Sequence, residues 1–265
     1  MAQENVTFKV WRGDATAGGF REYEVERTPG MVVLDAIHQI QARHDPSLAC
    51  RWNCKAGKCG SCSAEINGRP RLMCMTRLDD PLVSDGLPIQ VRPMKAFPVI
   101  KDLVTDVSWN YQVNRKIPAF KPKPKGPDGE WTMYQYEVDR VQEFRKCIEC
   151  FLCQDVCHVI RDHKQGQFGG PRFMVRTAGL EMHPMDEGDR LDTLKEELGI
   201  GFCNITKCCT EVCPESITIT DNAIIPLKER VAGASYDPLA ALWRNITGKN
   251  QPGGPPAPSA PKAGH

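Results

Sequence analysis

CIECFLCQDVC, residues 147–157, decides how this chain is read: Cys147, Cys150 and Cys153 recur at every third position, and Cys157 follows at a longer step. Residues 203–214, CNITKCCTEVCP, vary the same theme as Cys203-x5-Cys209-x3-Cys213-Pro214. Upstream, CKAGKCGSC at 54–62 gives Cys54-x4-Cys59-x2-Cys62, with Cys74 beyond. These three sets absorb all but Cys50 and Cys208 of the 13 cysteines.

The chemistry follows from the spacing. C-x4-C-x2-C with a remote fourth cysteine is the plant-type [2Fe–2S] pattern, and the two later runs together resemble a two-cluster bacterial ferredoxin. Cys54, Cys59, Cys62 and Cys74 are therefore candidate [2Fe–2S] ligands. Gly57 and Gly60 suit a loop that must curl tightly, because glycine tolerates positive φ. In a two-cluster ferredoxin the fourth cysteine of each run crosses to the other cluster. That rule assigns Cys147, Cys150, Cys153 and Cys213 to a [4Fe–4S] cluster, and Cys157, Cys203 and Cys209 to its neighbour. A complete second run would carry cysteine at 206, where this chain has Thr206. A hydroxyl is a poor iron ligand beside thiolate, so the last site is expected to hold [3Fe–4S]. Cys208 is set aside as a ligand, because adjacent helical side chains diverge by roughly 100°. Cys50 reads as a small buried hydrophobe. Structural zinc usually shows paired CxxC or Cys/His knuckles, which the first set lacks.

At 265 residues and net charge +1, the chain is sized for about two domains. It lacks the basic footprint of a nucleic-acid binder. The start shows no apolar signal-peptide core, and no apolar run approaches a membrane span. Many cysteines then indicate a reducing compartment and metal ligation. Val6, Phe8 and Val10 alternate with polar residues as in a strand; Tyr23 and Val25 form a second, with Gly18-Gly19 as the expected turn. Val33, Ile37 and Ile40 keep helical spacing. Ser63–Ile66 and Arg71–Cys74 read as strands joined at Asn67-Gly68, and Ile89–Arg92 as another. The expected class is α+β: a sheet domain over 1–105, a connecting segment over 106–133, a helical domain over 134–250 with helices near 189–198 and 222–232, and a disordered Pro/Gly-rich tail over 251–265.

With these residues in view, the sequence closely resembles the iron–sulfur subunit of the succinate dehydrogenase and fumarate reductase family over about residues 5–245. Asp45-Pro46-Ser47-Leu48, Phe97-Pro98-Val99-Ile100-Lys101-Asp102-Leu103 and Gly170-Pro171-Arg172-Phe173 add to the cysteine sets. The resemblance implies a β-grasp [2Fe–2S] ferredoxin domain followed by an all-α two-cluster ferredoxin domain. It implies a partner flavoprotein with FAD that oxidises succinate, and a membrane anchor with quinone. Electrons would pass along [2Fe–2S], [4Fe–4S] and [3Fe–4S] on the cytoplasmic side of the membrane, or in reverse in a fumarate reductase. Family members commonly carry Pro after the residue matching Cys157 and His after that matching Cys203; here those positions are His158 and Asn204. That departure leaves open a quinone site using His158 or Arg161, a different quinone, or a site wholly in the anchor. No Asp/Glu pair suggests catalysis on this chain. A soluble multi-cluster ferredoxin is the main alternative.

Overall fold

The alternation at Val6, Phe8 and Val10 buries all three in strand β1 (Asn5–Gly13). β1 pairs antiparallel with β2 (Gly18–Glu26). Helix α1 (Val33–Arg43) buries Val33, Leu34, Ala36, Ile37 and Ile40. The hairpin β3 (Ser63–Ile66) and β4 (Arg69–Leu72), the single helical turn α2 (Pro81–Ser84) and strand β5 (Ile89–Arg92) follow. The sheet order is β2-β1-β5-β3-β4, with β1 and β5 parallel. A mixed sheet whose core takes in one helix is the β-grasp arrangement the resemblance implies. A small hairpin, β6 (Val99–Lys101) and β7 (Val104–Thr105), leaves this half. Between them, buried Asp102 accepts from Arg12 Nε at 3.0 Å, from Gly13 N at 3.0 Å and from Ala49 N at 2.8 Å. This carboxylate ties the end of β1 to the irregular segment that enters the first cysteine loop.

The structure, a computed structural model, describes residues 5–84, 88–163, 166–236 and 242; the 251–265 tail lies outside them. The second half is helical: α3 (Ser108–Lys116), α4 (Gln135–Gln142), α5 (Leu152–Val156), α6 (His158–His163), α7 (Pro171–Glu181), α8 (Cys208–Glu211) and α9 (Ile225–Tyr236). Val141 and Phe144 are buried at the end of α4 and just beyond, whereas Tyr134 is exposed.

Four local details differ from the sequence reading. The β1–β2 turn is not at Gly18-Gly19: it falls at residues 14–17, where the Asp14 side chain accepts from Thr16 N, Thr16 Oγ1 and Ala17 N. Gly18 instead opens β2, because the Trp11 ring lies 2.6 Å from where its Cβ would stand. β4 begins two residues earlier than read, since the tight turn pairs Ile66 with Arg69. The segment read as a connection contains α3, whose Val113 joins the helical core. In the stretch read as helical near 189–198, the turn at Thr193–Glu197 is π-type.

A buried ionic cluster joins the halves. Glu65 on β3 is fully buried and faces Arg161 on α6 at 2.6 Å, Lys95 at 3.0 Å and Arg92 at 3.7 Å. Lys95 and Arg92 act through charge, since Glu65 Oε2 makes no aligned hydrogen bond. Asp155 on α5 lies 3.7 Å from Arg161 and accepts from Ala96 N at 3.0 Å. Burial pushes its carboxyl up to about 6, helped by the Glu65 charge, against the pull of Ala96 N, Arg161 and Lys95.

Two predictions follow from this joint. Glu65→Ala removes the buried acceptor while Arg161, Lys95 and Arg92 keep partial access to water, so it should lose roughly 1.5–3 kcal/mol in urea unfolding. Asp155 titrates near 3.8 when unfolded and near 6 when folded, so the fold favours its neutral form. Its contribution is full below pH 3.8 and is lost as pH rises through about 6. Asp155→Asn should therefore be the more stable protein above that pH, with the difference shrinking on acidification, read as melting temperature against pH.

Candidate metal centres

The first cysteine loop turns its backbone inward through positive φ at Lys55, Gly57 and Gly60. Cys54 Sγ accepts from Ala56 N at 3.4 Å and Lys58 N at 3.3 Å. The four thiols meet in pairs: Cys59 with Cys54, and Cys62 with Cys74. Burial pushes the Cys62 thiol up to about 12. Burial acts the same way on Cys59, but hydrogen bonds involving Ser61 and Cys54 outweigh it and bring that thiol to about 6.

Gly60 is where this loop meets the helical half. A Cβ there would stand 2.6 Å from Cys150 Cα, at a φ of +69°, so only glycine permits the approach. Ser63 Oγ lies 2.8 Å from the carbonyl oxygens of both Gly60 and Cys150. Its hydroxyl bridges the first cysteine set to the second.

Cys147, Cys150, Cys153 and Cys213 line one partly open cavity of about 370 Å³ including its solvent-facing mouth, with Ile148, Phe151, Val175 and Ile217 also in its wall. Cys157, Cys203 and Cys209 line another, of about 300 Å³. Cys213 and Cys157 thus each stand with the other run's cysteines. Burial pushes Cys150 up to about 12, Cys157 and Cys209 up to about 11, and Cys153 well above its ordinary value. Thiolates here need adjacent positive charge, which a bound iron core supplies while releasing the thiol protons. Among the described residues no three Cys, His, Asp or Glu side chains are set for a single metal ion.

The two runs share a backbone design. Glu149 and Phe151 have φ of 57° and 61°; Ile205 and Lys207 have φ of 62° and 63°. Each pair brackets the third position after the run's first cysteine, which is Cys150 in one run and Thr206 in the other. Cys208, set aside by the sequence reading, also lines the second cavity, with Sγ 3.3 Å from Thr206 Oγ1. Cys50 packs beside the sheet core as a half-buried thiol, and burial pushes it up to about 12.

Of the two residues considered for the quinone side, His158 lines the second cavity, with Nε2 2.8 Å from Asn204 Nδ2. Arg161 is drawn inward to Glu65, and its Nε donates to the Asp155 carbonyl. Two residues went unrecognised as site residues in the sequence. Lys228 on α9 donates to the Cys203 carbonyl at 2.5 Å. Arg172, at the start of α7, lines the first cavity and pairs with Glu149. Its Nε is buried without a partner. An unsatisfied cationic donor in the wall of a thiol-lined cavity fits an anionic, sulfur-rich occupant.

Comparison with known proteins agrees with this geometry. Residues 7–112 match the family described as a 2Fe-2S iron-sulfur cluster binding domain, and residues 143–217 the 4Fe-4S dicluster domain family. The fumarate reductase iron-sulfur subunit of Mycobacterium tuberculosis is 35% identical over 210 residues, covering 76% of this chain and 82% of that one. The chain belongs to the iron–sulfur subunit family of fumarate reductases and succinate dehydrogenases. A further family member, the succinate dehydrogenase iron-sulfur subunit of Bacillus subtilis, is 28% identical, covering 94% of this chain and 98% of that one. A chain of the Mycobacterium smegmatis Sdh1 complex in the apo form superposes with a TM-score of 0.83 at 58% identity, covering 90% of this chain and all of that one.

The Arg172 cation in the wall of the first cavity would favour the more reduced state of a cluster bound there. A buried charge-assisted hydrogen bond is worth roughly 1.5–3 kcal/mol, and about 1.4 kcal/mol corresponds to ~59 mV for one electron. Arg172→Met should therefore lower the midpoint of a cluster bound in the first cavity by up to roughly 130 mV in an EPR-monitored redox titration, while Arg172→Lys should lower it less.

Proposed function

We propose that this chain is the electron-transfer subunit of a succinate dehydrogenase. It would carry electrons from an FAD-containing flavoprotein to a quinone held by a membrane anchor. Cys54, Cys59, Cys62 and Cys74 hold [2Fe–2S]; Cys147, Cys150, Cys153 and Cys213 hold [4Fe–4S]; Cys157, Cys203 and Cys209 hold [3Fe–4S]. The observation that carries the reading is the continuity of the three cysteine sets. Gly60 and Ser63 press the first against Cys150. The single helix α5 then joins Cys153, which lines one cavity, to Cys157, which lines the other.

Bound in these cradles, the clusters would accept and release single electrons without moving protons or hydride. The chain's own residues fix their places. Backbone amides at Ala56, Lys58 and Ile217 donate to Cys54 and Cys213 sulfurs, which stabilises thiolate and helps set potential. Burial of Cys150, Cys153, Cys157 and Cys209 excludes water and fast side reactions. His158, hydrogen-bonded to Asn204, is the residue best placed to meet a quinone beyond the third set. Among the described residues no helix is long and apolar enough to cross a membrane, so attachment to the cytoplasmic face is assigned to the anchor subunit. The same cradles would serve a fumarate reductase, whose direction is decided by potentials and not by ligand positions.

EPR of the complex purified anaerobically tests the reading. The oxidised complex should show a [3Fe–4S] signal, and reduction should bring up [2Fe–2S] and [4Fe–4S] signals. A flavoprotein should co-purify. A stable, active chain with no partner would return the reading to a free ferredoxin.

A further inference from the structure

We propose that Cys208 is a fourth thiolate of the third cysteine set, positioned so that this site takes up ferrous iron reversibly. The inference rests on the ligand assignment made above for that site. The backbone repeat places Thr206 at the corner that Cys150 fills in the other run, bracketed by the same pair of left-handed residues. Thr206 cannot supply soft sulfur ligation to iron. Its hydroxyl instead lies 3.3 Å from Cys208 Sγ, and Cys208 lines the cavity together with Cys157, Cys203 and Cys209. The sulfur missing at position 206 is thus replaced within hydrogen-bond reach by one two residues later.

Adjacent helical cysteines diverge, but here the divergence falls at the very start of a helix. Lys207 is left-handed, and Cys208 and Cys209 are the first two residues of α8. Side chains roughly 100° apart at the opening of a helix can both border a cavity of about 300 Å³, and both do. Cys208, like Cys203, is half-buried, in contrast to buried Cys209 and Cys157, so solvent reaches its sulfur. Thr206 Oγ1 can donate to the Cys208 sulfur when it is ionised and holds it at the vacant corner.

The step balances. A reduced [3Fe–4S] core of charge 0 combines with one ferrous ion and the Cys208 thiol to give a [4Fe–4S] core of charge 2+, bound by the new thiolate. One proton leaves to solvent. The electron that reduces the three-iron core is supplied by the chain's own electron transfer. In reverse, loss of one electron to an oxidant lets the fourth iron depart as ferrous ion, the core returns as [3Fe–4S] of charge 1+, and Cys208 regains its proton. Cluster type sets potential, so iron and oxidant would together tune the exit end of the path.

The test uses the intact complex. Dithionite and excess iron-57 ferrous salt are added anaerobically, unbound iron is removed, and Mössbauer and EPR spectra are recorded after mild reoxidation. The wild-type complex should lose most of its [3Fe–4S] signal and gain iron-57 in a four-iron site; ferricyanide should restore the signal. Cys208→Ser and Cys208→Ala should keep the three-iron signal under the same treatment, with the other two clusters intact as a check on folding. Thr206→Val should still convert, because the hydroxyl is not the ligand. Retention of the full signal by the wild type at saturating ferrous ion overturns the proposal, as does equal conversion of the Cys208 variants. Absence of any [3Fe–4S] signal after ferricyanide overturns the underlying assignment as well.

Discussion

The constraint on which this structure turns is the cost of a thiolate in a dry interior. Burial holds Cys62, Cys150, Cys153, Cys157 and Cys209 protonated well above their ordinary range. Their sulfurs become ligands only when positive charge arrives to replace lost water. The helical half is built around that requirement. Its packed core borders two thiol-lined cavities, and left-handed non-glycine residues Glu149, Phe151, Ile205 and Lys207 bend the chain beside them. Such backbone is strained for side chains other than glycine, and cluster binding is the interaction able to offset it.

A second constraint is that the two halves must stay in register. The Gly60–Cys150 approach leaves no room for a side chain. The Glu65, Arg161 and Asp155 cluster fixes the same junction by charge, with Phe97 and Tyr111 both in ring contact with Phe151 beside it. A buried ionic joint is a weak source of net stability but a good source of geometric specificity. Specificity is what a path for electrons needs, since its rate depends on how closely the sites approach.

Much of this was legible in the sequence because it rests on periodicity and spacing. Val6, Phe8 and Val10 announced β1, and Asn67-Gly68 announced the hairpin. The cysteine spacing announced which sulfurs share a cavity, including the exchange of Cys157 and Cys213. What was not legible depends on contacts between distant residues. Gly18-Gly19 looked like a turn, but the Trp11 ring requires the missing Cβ at Gly18 within the strand. Arg161 sat beside a cysteine run and looked available, but Glu65, 96 positions away, claims it. Arg172 lies in the Gly170-Pro171-Arg172-Phe173 stretch and Lys228 in no motif, but only folding brings Arg172 to the first cavity and Lys228 to the Cys203 carbonyl. That Cys208 lines the same cavity as Cys209 is not visible in the spacing, because it depends on where α8 begins.

The central claim is that three cysteine sets, with Cys213 and Cys157 exchanged between the last two, form one continuous path for electrons. Anomalous diffraction at the iron edge on crystals of the intact complex tests it most directly. The account predicts iron at three positions: between Cys54, Cys59, Cys62 and Cys74; between Cys147, Cys150, Cys153 and Cys213; and beside Cys157, Cys203 and Cys209. Signal at the zinc edge instead, or Cys213 bound to the same iron as Cys203 and Cys209, would contradict it.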